Sequence, residues 1–98
     1  MSSALPLQPL RMPAGWTVLY NEFAEPQTPD ALKEDLLQLF HERENRLIDL
    51  GWYASENTRG AYLIVVHEGD FEGPRLAEFR SADHAKIVAE LERLMASL

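Results

Sequence analysis

The sequence lacks several features that mark common classes of protein. It contains no cysteine, which excludes both a disulfide framework and a metal site built on thiolates. No apolar run approaches the roughly 18 residues that a membrane-spanning helix needs. The beginning of the chain has no basic region and is interrupted by prolines, a pattern that argues against a signal peptide. We therefore expect a cytoplasmic protein with no membrane partner.

Basic residues are also scarce. Nine Lys and Arg residues stand against sixteen Asp and Glu residues, which leaves a formal net charge of -7. Nucleic acid is not expected as a direct partner, because phosphate binding needs clustered basic side chains and these are scattered among acids. A basic protein fits this charge as a partner, although simple solubility explains the same charge.

Motifs for catalysis are missing as well. The five glycines are dispersed, so they form neither a phosphate loop nor a dinucleotide fingerprint. The chain has no Gly-x-Ser-x-Gly elbow and no HExxH frame. His41 and His84 are expected in surface or capping roles, whereas His67 lies beside Glu68 and Asp70 and leaves open a metal-binding or enzymatic alternative. We expect a protein that is not an enzyme and has no cofactor.

The composition predicts one folded domain. The chain has 98 residues, of which 46% are hydrophobic and 26% charged, values close to those of soluble globular proteins. Residues 1–13 contain Pro6, Pro9 and Pro13 without hydrophobic periodicity and are predicted to form a flexible leader. The predicted domain covers residues 14–98.

Four segments are predicted to be β-strands because they combine apolar alternation with β-branched and aromatic residues. The proline that opens the last strand favours an edge position, and the turn-forming residues between the second and third strands predict a hairpin. The predicted strands are Trp16–Phe23, Arg46–Tyr53, Ala61–His67 and Pro74–Arg80.

Two helices are predicted. The first begins at Thr28-Pro29-Asp30, ends between His41 and Glu44, and has Asn45 as a left-handed cap. Its apolar face consists of Leu32, Leu36, Leu37, Leu39 and Phe40. The second helix begins at the N-cap Ser81, and its apolar face consists of Ile87, Val88, Leu91, Leu94, Met95 and Leu98.

The predicted order is thus β-α-β-β-β-α. This order is typical of an α+β fold in which a mostly antiparallel four-stranded sheet has both helices packed on one face. The opposite face of such a sheet is free for solvent or for a partner.

Candidate partner-binding residues lie on the second strand and in the turns that follow. Trp52 shares parity with Ile48 and Leu50 and is assigned to the core, so Tyr53 faces the other way. A half-buried structural role for Tyr53 is the alternative, and the acidic residues can equally be solvated loop residues. The predicted partner-binding residues are Asp49, Tyr53, Glu56, Asp70 and Glu72.

Three segments of the sequence together resemble a known family. They are Gly15 to Phe23, Leu47 to Tyr53, and Gly73 to Ser81. The pattern resembles immunity proteins of contact-dependent growth inhibition and related polymorphic toxin systems of bacteria, and the likeness spans about residues 15 to 96. It lies in strand-like phrases and a final amphipathic helix and includes no catalytic signature.

The resemblance implies a cytoplasmic protein that binds the C-terminal domain of a cognate toxin, often a nuclease, and blocks its active site or substrate groove. No contact residue transfers by motif, because toxin contacts vary among members of such families. We expect a monomer in the complex with a basic toxin domain. The alternatives are a small metal-binding or enzymatic domain that uses His67 with nearby carboxylates, and a homo-oligomeric interaction module.

Overall fold

The chain folds into an antiparallel five-stranded meander with one C-terminal helix. The computed structural model describes residues 6–25, 32–55 and 58–97. Neighbouring strands pair in chain order, so β1 and β5 form the two edges of the sheet. The elements are β1 Trp16–Asn21, β2 Leu37–His41, β3 Arg46–Ser55, β4 Thr58–Glu68, β5 Arg75–Ser81 and α1 His84–Ala96.

The predicted fold of four strands and two helices is wrong. The predicted start of the first helix at Thr28 lies outside the described residues, but its second half is β2. Leu37 and Leu39 are buried in the core, and their spacing of two fits a strand, although Leu36, Leu37 and Phe40 also fit one face of a helix. The segment becomes a strand because β1 pairs with one of its edges and β3 with the other. Tertiary pairing therefore overrides an ambiguous local pattern.

The turn between β2 and β3 explains the polar residues that were interpreted as a helix end. Asn45 has a φ of 54°, in the left-handed region that asparagine tolerates. It closes a hairpin turn instead of capping a helix, and its amide donates to the carbonyl oxygen of Glu42 at 3.2 Å. The Glu44 amide donates to Nδ1 of His41 at 3.1 Å. These bonds satisfy backbone donors within the turn.

All four predicted strands are confirmed, and their ends differ from the predicted ends by at most three residues. The predicted hairpin is present, since β3 and β4 pair antiparallel with Ser55 opposite Thr58. The strand that follows Pro74 lies at the edge of the sheet, as the proline predicts. Ser81, however, is the last residue of β5 and not the N-cap of the helix. Asp83 caps α1 by accepting hydrogen bonds from the amides of Ala85 and Lys86.

Helix α1 covers one face of the sheet, here called the covered face. Its buried residues Ile87, Leu91 and Met95 pack into a single core with the strands. Leu98, the last residue of the predicted helical face, lies outside the described residues. The strand residues of this core include Leu37, Leu39, Ile48, Leu50, Ile64 and Val66.

Residues 6–13, here called the N-terminal strap, occupy the place beside α1 that a second helix would have taken. Leu10 and Met12 pack against the core. The Gln8 amide donates to the carbonyl oxygen of Phe23 at 2.8 Å, and the Arg11 amide donates to Oε2 of Glu92 at 2.8 Å. The strap is the described part of the predicted leader. Among the described residues, no helix is long and apolar enough to cross a membrane.

Candidate protein-binding face

The face of the sheet that points away from α1, here called the open face, carries the candidate site. Side chains alternate between the two faces along each strand, so the cross-strand pairs on the open face can be read from the register. In one row Gln38 lies opposite Asp49, and Asp49 lies opposite Val65. In the next row Leu47 lies opposite His67. Val65 and His67 are only 5% and 6% exposed, so the centre of this face is well packed.

A close backbone approach shapes one end of the open face. The Trp52 amide donates to the carbonyl oxygen of Lys33 at 2.9 Å, and the Leu36 amide donates to that of Leu50 at 3.0 Å. A Cβ on Gly51 would lie 2.0 Å from the carbonyl oxygen of Glu34. Only glycine leaves room for this approach, so Gly51 allows residues 33–36 to run beside β3.

This approach gathers carboxylates around Asp49 and Tyr53. The Tyr53 hydroxyl faces the carbonyl oxygen of Glu34 at 3.5 Å. Burial raises the pKa of Tyr53, and the negative charges of Asp49, Glu34 and Asp35 raise it further. We call Glu34, Asp35, Asp49 and Tyr53 the acidic cluster.

Folding disfavours the charged form of Asp49, a member of the acidic cluster. Burial raises the pKa of its carboxyl group, and the charge of Asp35 raises it further, against smaller opposing effects of His67, Arg75 and a hydrogen bond from Gln38. Its Oδ1 atom is buried and has no hydrogen-bond partner among the described residues. An unpartnered buried oxygen destabilises the fold.

The predicted division between Trp52 and Tyr53 is confirmed. Trp52 packs against the core on the covered face, with its ring 4.9 Å from that of Tyr62 in an edge arrangement. Tyr53 therefore points to the open face by strand alternation.

The structure brings together only some of the predicted partner-binding residues. Asp49 and Tyr53 share the acidic cluster, whereas Glu56 lies outside the described residues. Asp70 and Glu72 are exposed in the turn after β4. Tyr53 lies opposite Ala61, near the start of β4, so about 20 Å of strand, at about 3.3 Å per residue, separates it from that turn. Tyr53 therefore does not form one compact site with Asp70 and Glu72.

Sequence reasoning missed three residues of this surface. Glu34 and Asp35 were assigned to a helix, and only the pairing of residues 33–36 with β3 brings them to Tyr53. Phe71 was treated as part of a turn, yet it is 47% exposed between two acids. The signal for Phe71 was present in the sequence, because a large aromatic residue is unusual among turn-forming residues.

The histidines have structural partners. The imidazole Nδ1 of His67 lies 3.1 Å from the carbonyl oxygen of Gly73, and neighbouring Glu68 falls on the other side of the strand by alternation. His41 packs edge-on against Trp16 at 5.1 Å, and His84 bonds to the hydroxyl of Tyr62. Within the described residues, no group of three His, Cys, Asp or Glu side chains is placed to hold a metal ion.

No family model, curated protein or solved structure matches this chain. The likeness to immunity proteins thus depends on the three segments of the sequence named above, and it stays a prediction.

Proposed function

We propose that this chain is an immunity protein that binds the C-terminal domain of a cognate bacterial toxin through the open face. The observation that carries the proposal is the acidic cluster, in which the exposed Glu34 and Asp35 lie beside the half-buried Asp49 and Tyr53. A basic side chain from a bound protein would pair with these carboxylates. Charge-assisted hydrogen bonds of this kind are stronger than neutral ones.

The surroundings of Asp49 support a basic partner. Glu34 and Asp35 are exposed and lie close enough to raise the pKa of Tyr53. Like charges held together attract a complementary surface and speed its approach. Tyr53 adds an aromatic ring that is rigid and amphipathic, the kind of residue that dominates binding energy at interfaces.

Occlusion is the proposed mechanism. A nuclease groove is lined with basic side chains that bind phosphate, so an acidic face seated over the groove competes with the nucleic acid for the same positive charges. The immunity protein itself performs no chemical step, and it needs no cofactor. Inhibition then follows from the shape and charge of a preformed surface.

The test begins with the gene upstream of this chain's gene, which the proposal expects to encode a large secreted protein with a basic C-terminal domain, and that domain is then purified. Wild-type protein is expected to bind that domain and to block its activity on nucleic acid, with binding that weakens as salt rises. Asp49→Ala combined with Tyr53→Ala should raise the dissociation constant at least about 100-fold, as loss of central contacts does.

Glu90→Gln is the matched control. It also removes one acidic charge, but from α1 on the covered side of the molecule, where Glu90 is paired with Arg93. The control should bind like wild type. Equal binding by the double variant would exclude the acidic cluster as the contact, and a neighbouring gene of ordinary metabolism would refute the toxin partner.

A further inference from the structure

The turn between β4 and β5, residues 69–74, is tied to the rest of the fold at both of its ends. The Gly69 amide donates to the carbonyl oxygen of Asn45 in the neighbouring turn at 2.9 Å. The Glu68 amide donates to the carbonyl oxygen of Pro74 at 2.9 Å. Gly69 has a φ of 83°, a conformation that favours glycine. The ends of the turn are therefore held in place by backbone bonds.

The turn is also bonded within itself. Asp70 accepts the Gly73 amide on its carbonyl oxygen at 2.9 Å and the Glu72 amide on Oδ1 at 2.9 Å. The carbonyl oxygen of Gly73 lies 3.1 Å from Nδ1 of His67, a buried side chain of the open face. These bonds hold the turn in one shape before any partner arrives, which lowers the entropy lost on binding.

Phe71 is held at the tip of this turn with much of its ring in solvent. The ring lies 6.3 Å from the ring of His67 in a tilted arrangement, so it has a fixed support on one side. Its exposed fraction is 47%. An aromatic ring that is both fixed and exposed gains more from burial by a partner than a mobile ring does.

We propose that Phe71 is the aromatic anchor through which this protein binds its partner. The ring inserts into an apolar slot on the partner that basic side chains surround. The inference rests on the proposed function and extends it to a second contact about 20 Å from Tyr53 at the spacing of strand residues. The charge of the turn specifies the partner. Residues 69–74 contain two acids, Asp70 and Glu72, and no basic residue.

The same charge argues against a second copy of this chain as the occupant. Two such turns meeting in a symmetric contact would bring their acidic side chains together, and like charges at an interface oppose association. A basic protein domain meets both requirements of the turn, the apolar slot and the opposite charge.

The experiment measures binding to the same toxin domain by titration calorimetry. Phe71→Ala is expected to raise the dissociation constant at least about 30-fold, the loss typical of an aromatic anchor. Leu76→Ala is the matched control, because Leu76 on β5 is 48% exposed but lines a groove on the covered side with Trp16 and Leu94. The control should change the constant less than about threefold, as surface contacts outside an anchor do.

A second variant keeps the proposal testable if Phe71→Ala fails to fold. Glu72→Lys changes an exposed side chain. The backbone amide of Glu72, which donates to Oδ1 of Asp70, is unchanged by the substitution. It should slow association at low salt and lose that effect at high salt. Thermal unfolding of each variant checks that the fold persists.

The outcomes separate this inference from the proposed function. Wild-type affinity in both Phe71→Ala and Glu72→Lys, with binding lost in the Asp49 and Tyr53 double variant, overturns the anchor and leaves the proposed function standing. No binding by wild-type protein overturns both. A wild-type dimer in light scattering that Phe71→Ala turns into a monomer would make a second copy the occupant and would also overturn the anchor.

Discussion

The carbonyl oxygen of Glu34 lies in the space that a side chain on Gly51 would need. A Cβ at Gly51 would be 2.0 Å from that oxygen, far inside van der Waals contact. The Tyr53 ring is also close, with Cε2 at 3.1 Å from the same Cβ position. One glycine therefore decides whether residues 33–36 can run beside β3 and whether Glu34 reaches the acidic cluster.

Gly51→Ala should destabilise the fold and disturb the acidic cluster together. Overpacking against backbone forces residues 33–36 away from β3, and we expect the free energy of unfolding to fall by about 3 kcal/mol. Urea denaturation measures this loss of unfolding free energy. Gly69→Ala is the contrast, since its Cβ would meet only ordinary contacts with the Asn45 side chain, at 3.7 Å and 4.0 Å, but the substitution strains a positive φ and should cost only about 1 kcal/mol. Equal losses in the two variants would contradict a steric role for Gly51.

Asp49→Asn should stabilise the protein at pH 7 while it weakens partner binding. The folded state raises the pKa of the Asp49 carboxyl above its ordinary value, so the charged form is disfavoured by folding at neutral pH. As pH falls through the raised pKa, the wild-type carboxyl binds a proton and this penalty disappears. The stability advantage of the variant should therefore shrink toward about pH 3.5, below the ordinary pKa of an aspartate.

The measurement for Asp49 is thermal unfolding of wild type and variant across this pH range. Glu42→Gln, at an exposed acid in the turn after β2, serves as the control for the loss of a single negative charge. An Asp49→Asn protein that is less stable than wild type at pH 7 would contradict the cost assigned to this carboxylate.

His84→Ala should loosen the N-terminal strap. The hydroxyl of Tyr62 lies 3.1 Å from Nδ1 of His84, and Nε2 of His84 lies 2.8 Å from Oε1 of Gln8. Tyr62 is 3% exposed, so the variant leaves a buried hydroxyl without this partner and should cost about 2 kcal/mol. The Gln8 amide, bonded to Phe23, should exchange its hydrogen faster with solvent.

A double-mutant cycle tests the origin of that cost. In a Tyr62→Phe background no hydroxyl is left unpaired, so His84→Ala should cost less than it does alone. Strictly additive losses would assign the effect to packing of His84 against Phe23, whose ring centroid is 4.7 Å away.

Asp83→Ala should destabilise α1 more than Ser81→Ala does. Asp83 accepts the amides of Ala85 and Lys86, and loss of an N-cap costs about 1 kcal/mol. Ser81, two residues before the cap, accepts the amide of Asp83 at 3.1 Å and no amide of the helix itself, and its loss should cost less than half as much. Helix content by circular dichroism during urea unfolding distinguishes the two, and a larger effect of Ser81 would restore it as the cap.

The sequence predicted the strands and the helix that have long, one-sided apolar patterns. The continuous run of apolar, largely aromatic and β-branched residues over Ala61–His67 favours a strand, and the spacing of Ile87, Leu91 and Met95 favours a helix. The apolar residues between Leu36 and Phe40 form a pattern too short to distinguish the two. Propensity favoured the helix, and pairing with strands on both sides decided against it.

The candidate site was also predictable from the sequence only where local rules apply. Parity along β3 assigned Tyr53 and Asp49 to one face, because strand alternation is a local rule. Their separation from Asp70 and Glu72 depends on the length and register of β4, which no local pattern reports. The place of Glu34 depends on a backbone contact with Gly51, a residue far along the chain from it.

By itself, the sequence determined the acidic charge, the absence of thiol chemistry, the C-terminal helix and which residues of β3 point away from the core. These properties depend on composition or on neighbours within a few positions. Tertiary structure alone decided that Leu37–His41 is a strand, that the strap of residues 6–13 packs beside the single helix, and that carboxylates surround Tyr53. Each of these depends on contacts between segments distant in the chain, and their free energy is absent from any local stretch of sequence.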